Sequence, residues 1–301
     1  MMNRPARLLI KILPFFILVA CTSAITSTDL PKPSETSAPA PLMKSAISSC
    51  LVTLPNGKSP TAPGSPGSEF NLGNEDSTLF TIPGNNGTVI FARGGPGFIL
   101  PDGSLVMKWP WWREVRGELT IEGQRLDAPA PLLRAEIPEG YGDIGFRPVS
   151  LIFPAQGCWE VTGKVGKERL TFVTLVVKVP FSFISLNWSP DGIDSWRYDT
   201  SQLPDSLREI IKYSNGGELI LESIAGEHAT IGLNSAAVPH KVTVQGHPGI
   251  CVQGTLINQQ WQDNVDAGFL EWTADGSIYR ISHKGLGLRC DDLLRMTDQP
   301  P

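Results

Sequence analysis

Between residues 50 and 179 the chain breaks into nine short apolar or β-branched runs: 50–54, 79–82, 88–92, 104–109, 118–121, 132–137, 149–153, 159–165 and 170–179. Turn residues close them, among them Pro55-Asn56-Gly57, Pro101-Asp102-Gly103, Ala128-Pro129 and Gly166-Lys167. No helical period runs through this stretch, and many short strands at near-regular spacing predict a β-sandwich or barrel. The 30 Gly and 26 Pro fit such a loop-rich architecture. A hydrophobic fraction of 41% is enough for a packed core, which excludes wholesale disorder. At 301 residues, about two domains are expected.

The closing pair of runs is the clearest. Trp159, Val161 and Val165 share one face of a strand, and Phe172 opens another that ends Leu175-Val176-Val177. The lead-in Phe153-Pro154, with Gly157-Cys158-Trp159 after it, resembles the last hairpin of immunoglobulin-like sandwiches over residues 153–179. The resemblance implies an N-terminal immunoglobulin-like β-sandwich over 47–179. Cys158 points away from Trp159, so it need not be a buried inter-sheet cysteine as in antibody domains.

Trp109-Pro110-Trp111-Trp112-Arg113 is the most unusual local run. Its indoles could stack on sugar rings as a ligand platform, or Trp109 and Trp111 could pack one face of a strand. Pro110 cannot donate within a central ladder, so the strand is expected at an edge. Large aromatics dominate cores, and core packing is the expected fate. A cation–π contact from Arg113 or Arg116 to these rings fits either reading. Tyr141-Gly142-Asp143-Ile144-Gly145-Phe146 has no helix after it and reads as a loop rather than a phosphate cradle.

After residue 180 the pattern changes. Leu203, Leu207, Ile210 and Ile211 recur at helical spacing, predicting a helix over 203–213 that Ser214-Asn215-Gly216-Gly217 stops. Strands are expected at 218–223, 230–233, 241–245 and 250–253. A hairpin pairs 267–273 with 277–282 around Asp275-Gly276, and a last helix covers about 291–297. The sum is a mainly β chain: the sandwich, then a smaller α+β domain over 180–301, a curved antiparallel sheet with helices on one side.

Four features follow one another in that second part: Val244-Gln245-Gly246-His247-Pro248-Gly249, the hairpin Leu270-Glu271-Trp272 to Tyr279-Arg280-Ile281, Gly285-Leu286-Gly287-Leu288 and Asp292-Leu293-Leu294-Arg295-Met296. Over about 215–298 this order resembles an uncharacterised domain at the C-terminus of anti-sigma-factor-like envelope proteins of Gram-positive-type bacteria. The whole arrangement is similar to bacterial lipoproteins of unassigned function, Chloroflexota-like. Neither resemblance carries a known activity; the first implies an accessory role in envelope stress or signalling.

At the N-terminus, Arg4, Arg7 and Lys11 precede an apolar run over 12–20 that is too short to span a membrane and reads as a secretory leader over 1–20. It ends Leu18-Val19-Ala20-Cys21, which resembles the lipobox of bacterial lipoproteins and implies cleavage before Cys21 and lipidation of its thiol. Several acyl chains on one residue give stable anchoring. Residues 21–46 are rich in Ser, Thr, Pro and Ala and read as a tether. Of five cysteines, lipidation takes Cys21. Cys50, Cys158, Cys251 and Cys290 remain, with three possible pairings. One bridge on each side of residue 180 is the simplest, in an oxidising compartment; four reduced thiols are the alternative. No zinc-ligand spacing is present, so neither a metal nor a cofactor is expected.

The formal charge of −5, more acidic without the basic leader, gives no footprint for nucleic acid. No GxSxG, SxxK, HExxH, Walker or calcium-loop motif occurs, and catalytic residues are expected to be none. His228, His240, His247 and His283, with Glu227, Asp263 and Asp266, read as polar loop or strand-end residues. The expectation is a lipid-anchored extracytoplasmic protein, a non-catalytic binding or scaffold module for a cell-wall polymer or an envelope protein. The signalling accessory is the alternative. A hydrolase is a third reading; it requires a pocket with two convergent titratable groups, near Asp263, Asp266 and His283 or at the domain junction.

Overall fold

The computed structural model describes residues 49–61, 70–226, 237–258 and 260–297. The leader, Cys21, the tether, Glu227-His228 and the strand expected at 230–233 lie outside the described residues.

The described chain is mainly β. With strands numbered in chain order, a first sheet holds β1 (Leu72–Gly73), β2 (Leu79–Thr81), β4 (Phe98–Ile99), β5 (Leu105–Arg113), β7 (Arg134–Glu136) and β8 (Gly145–Phe153). Its order is β1-β2-β5-β8-β7, with β4 also on β5. A second sheet holds β3 (Thr88–Arg93), β6 (Leu119–Arg125), β9 (Gly157–Val165) and β10 (Glu168–Ser182), in the order β3-β10-β9-β6. β3 and β10 pair in parallel; the other pairs in these two sheets are antiparallel.

A third, antiparallel sheet has the order β11-β12-β13-β19-β18-β15-β14. It comprises β11 (Ile193–Asp199), β12 (Ser206–Tyr213), β13 (Glu218–Ala225), β14 (His240–Val244), β15 (His247–Gln253), β18 (Ala267–Ala274) and β19 (Ser277–Lys284). β16 (Thr255–Ile257) and β17 (Gln260–Gln262) form a separate hairpin, and a helix, α1 (Cys290–Thr297), buries Leu293 and Met296.

The second sheet is shared. One face carries Val89, Phe91, Phe172 and Val176 into a core with Trp109, Trp111, Phe153, Trp159 and Val161. The other carries Ile90, Leu175, Val177 and Phe181 into a core with Leu207, Ile211, Leu221, Leu270, Ile281 and Met296. Residues 174–177 of β10 are therefore buried on both sides, and the strand runs straight through residue 180. Each such Val or Leu contributes about 1.5–3 kcal/mol by burial.

The helix over 203–213, the edge position of β5 and the strand over 50–54 need correction. Residues 203–213 are not a helix: 206–213 form β12 between β11 and β13. Leu207, Ile211 and Tyr213 point to the core at strand spacing, and the chain between them satisfied both periods until the neighbouring strands decided. β5 is not an edge strand either. Pro110 faces Pro148 of β8, beyond the last pairs of β2 (Thr81–Trp111) and β7 (Glu136–Ser150), where missing amide hydrogens break no ladder.

The disulfides are Cys50–Cys158 and Cys251–Cys290, with Cα separations of 5.5 and 5.9 Å. The first ties the segment before β1 onto β9, on the face away from Trp159; the second ties the start of α1 to β15. Residues 50–54 form no strand but run beside β10, where the Thr53 amide donates to the Val173 carbonyl at 2.8 Å.

Candidate functional site

The tryptophan run is core. Trp109 and Trp111 are 2% and 0% exposed and share the inner face of β5. Trp109 stacks on Phe172 (centroids 5.6 Å apart) and donates its indole N–H to Thr81 Oγ1 at 2.9 Å. Trp111 lies over Gly163, where a Cβ would run into its ring. Trp112, on the other face, is buried against Phe146. Arg113 is buried and donates to the Gly117 carbonyl at 2.7 Å and to the Gly142 carbonyl, clamping two loops. Burial, then the charge of Arg147, pulls its pKa down. All four are buried, as core packing predicts, and none stands out from the surface as a stacking platform.

The residues considered for hydrolysis do not converge either. Asp263 and Asp266 are exposed. His283 is buried on the inner face of β19, and desolvation lowers its pKa against the opposing pull of the Leu288 main chain and Asp292. Among the described residues no group of three His, Cys, Asp or Glu is placed to hold a metal. No helix there is long and apolar enough to cross a membrane.

A different place gathers chemistry. At the β11 edge of the third sheet, a cleft of about 550 Å3 is floored by Tyr198 and Trp196 of β11, Glu209 and Ile211 of β12 and Leu221 of β13. These share one face by register: Tyr198 opposite Glu209, Glu209 opposite Leu221, Trp196 opposite Ile211. The walls are the 94–96 loop and the connector 183–189, which brings in Phe183 and Trp188. The connector is pinned: the Ser182 amide donates to the Tyr279 hydroxyl at 3.1 Å and the Asn187 amide to the Met296 carbonyl at 2.8 Å. Gly95 lets the loop close on Phe183, since a Cβ there would sit 3.0 Å from the ring.

Glu209 is 4% exposed on an otherwise apolar face. Burial pushes its carboxyl up to about 7, against hydrogen bonds from Trp196 and Tyr198 that favour the charged form. The Trp196 indole donates at 3.2 Å. Tyr198 is raised in turn, first by burial and then by the Glu209 charge, so its phenol stays a donor. Among the described residues no Lys, Arg or His comes within 4.0 Å of the Glu209 carboxylate. Trp196 is 50% exposed at the mouth, Tyr198 meets Phe183 edge-on at 6.4 Å, and Trp188 carries the Arg295 guanidinium 3.9 Å over its ring. A perturbed carboxyl in an aromatic cleft marks a candidate functional site.

No protein-family model matches the chain, and no curated protein matches it. Among solved structures, an uncharacterized protein of Listeria monocytogenes EGD-e, in complex with alpha-D-glucose, beta-D-glucose, magnesium and calcium, is similar at 11% identity. The likeness covers 61% of this chain and 17% of that one, with a TM-score of 0.20, too low to carry an argument.

Trp196, Tyr198 and Glu209, the polar and aromatic members of the cleft, are not among the residues the sequence motifs point to. The signal was there: Trp196 and Tyr198 alternate on a short polar strand, and Glu209 interrupts the apolar set Leu207, Ile211, Tyr213.

Proposed function

We propose that this chain is a lipid-anchored extracytoplasmic binding protein, held to the membrane through Cys21, that captures a ligand in the cleft around Glu209 without transforming it. The observation that carries the reading is the buried Glu209 carboxyl held by a half-exposed indole and a phenol in an aromatic-walled cleft. Glycoside hydrolysis commonly uses two carboxyl groups across the scissile bond, and among the described residues Glu209 is the one carboxylate lining this cleft. That favours binding. The leader and lipobox-like Leu18-Val19-Ala20-Cys21, with two disulfides in the folded part, support an oxidising, extracytoplasmic setting. Wall polymer or an envelope protein remains the wider context of action.

The test uses full-length protein isolated from its own envelope. Native mass spectrometry of wild type and Glu209→Gln should show a retained mass in the first that is missing from the second. Cys21→Ser should move the protein from the membrane to the soluble fraction. Identical spectra from the two cleft forms, with no retained ligand in either, reject the cleft as the binding site.

A further inference from the structure

The cleft has a neighbour that narrows what it takes. A second cleft, about 320 Å3, adjoins it across Pro96, Phe183 and Tyr198, which line both. Its remaining walls come largely from the first sheet and β3, with Ile82, Met107, Trp109 and Pro110 among them, and Lys108 is the one charged side chain of the described residues that lines it. Its surface is largely apolar.

Resting on the binding reading above, we propose that the ligand is an amphiphilic organic cation. An ammonium head would sit against Glu209, and an alkyl tail would run over Phe183 and Tyr198 into the apolar cleft. Two features argue for the charge. Glu209 is a buried carboxyl with no cationic partner among the described residues, so its charged form has nothing to compensate it until a cation arrives. The cleft around it is lined by Phe183, Trp188, Trp196 and Tyr198, aromatic rings of the kind that attract a desolvated cation. The tail follows from the second cleft: a neutral glycan extending from Glu209 would find few hydrogen-bond partners there, whereas methylenes gain about 0.8 kcal/mol each on burial. The head fixes orientation and the tail supplies area, the division of labour usual in small-ligand sites.

The experiment uses full-length protein reconstituted in phosphatidylcholine nanodiscs and three probes: hexyltrimethylammonium, tetramethylammonium and hexyl β-D-glucoside. Binding is read from tryptophan fluorescence and calorimetry. Hexyltrimethylammonium should bind saturably to wild type. It should bind at least tenfold more weakly to Glu209→Gln, which keeps the shape of the side chain, and to Trp196→Ala, an independent change at a half-exposed edge. Leu132→Ala, exposed and outside both clefts, should bind like wild type. Tetramethylammonium, lacking the tail, should bind at least tenfold more weakly than the hexyl compound. Equal signals from wild type and Glu209→Gln mean partition into the bilayer and overturn the proposal. Saturable, Glu209-dependent binding of the glucoside with none of the ammonium overturns the ligand class while leaving the binding cleft standing. No saturable binding of any probe removes both.

Discussion

Two tryptophan regions of this molecule meet opposite fates. The 109–112 run, dense enough in indoles to suggest a platform, is packed away as its strand pattern led one to expect. Trp188 and Trp196, widely spaced and unremarked in the sequence, are the ones left partly open beside a carboxylate. The difference lies in where each strand sits. β5 is flanked by β2, β4 and β8 and covered by the second sheet, so every large ring on it finds a partner. β11 is the last strand of the third sheet, with β12 on one side and nothing from that sheet on the other. A ring's chemistry is the same in both places; strand position decides whether it is packed away or left open.

The comparison can be broken by substitution. Trp111→Ala should cost about 3–5 kcal/mol, read as a lower urea midpoint, because it empties a fully buried site. A small loss would place the run outside the core. Next in size is the titration of Glu209. Its carboxyl rises from 4.5 in the unfolded chain to about 7 in the folded one, so the folded state holds its proton more tightly. Stability from this group is therefore full below about pH 4.5 and is lost as pH rises through about 7, a fall of about 3 kcal/mol. Thermal melts from pH 4.5 to 8 should show that fall in wild type and a shallower one in Glu209→Gln; parallel curves would remove the buried acid from the account. Gly163→Ala should then cost about 1–3 kcal/mol by pushing the new methyl into the Trp111 ring. Smallest is Trp196→Ala, about 1 kcal/mol or less in stability, although it should abolish ligand retention. That split between stability and binding, reversed relative to Trp111, is the sharpest form of the contrast.

Much of the fold was legible. The hairpin of β18 and β19 forms around Asp275 and Gly276, both at positive φ as a tight primed turn demands. α1 follows its apolar spacing, and the disulfides pair in the simplest way. The ambiguity in the sequence is local. The stretch 203–213 satisfies helical spacing, and the strand alternation that competes with it is interrupted by Glu209, the polar residue on the apolar face. A buried polar residue breaks the pattern of the element that carries it, so Glu209 obscures both the strand and the candidate site. The edge assignment of β5 failed for another reason: a proline is costly only where a neighbour needs its amide, and which neighbours stop short is a property of the assembled sheet.

β10 makes the architecture indivisible. Because Leu175, Val177 and Phe181 complete one core while Phe172 and Val176 complete the other, neither half is a transferable part. A chain ended at residue 179 would lose Phe181 and present the rest of that apolar strip to solvent, an invitation to self-association. A chain started at 180 would leave its own sheet uncovered. Heat should melt both cores in one transition, and recombination between relatives should find no viable seam near the middle of the sequence. Such a protein can vary the side chains of its β11 edge, but it has to be inherited whole.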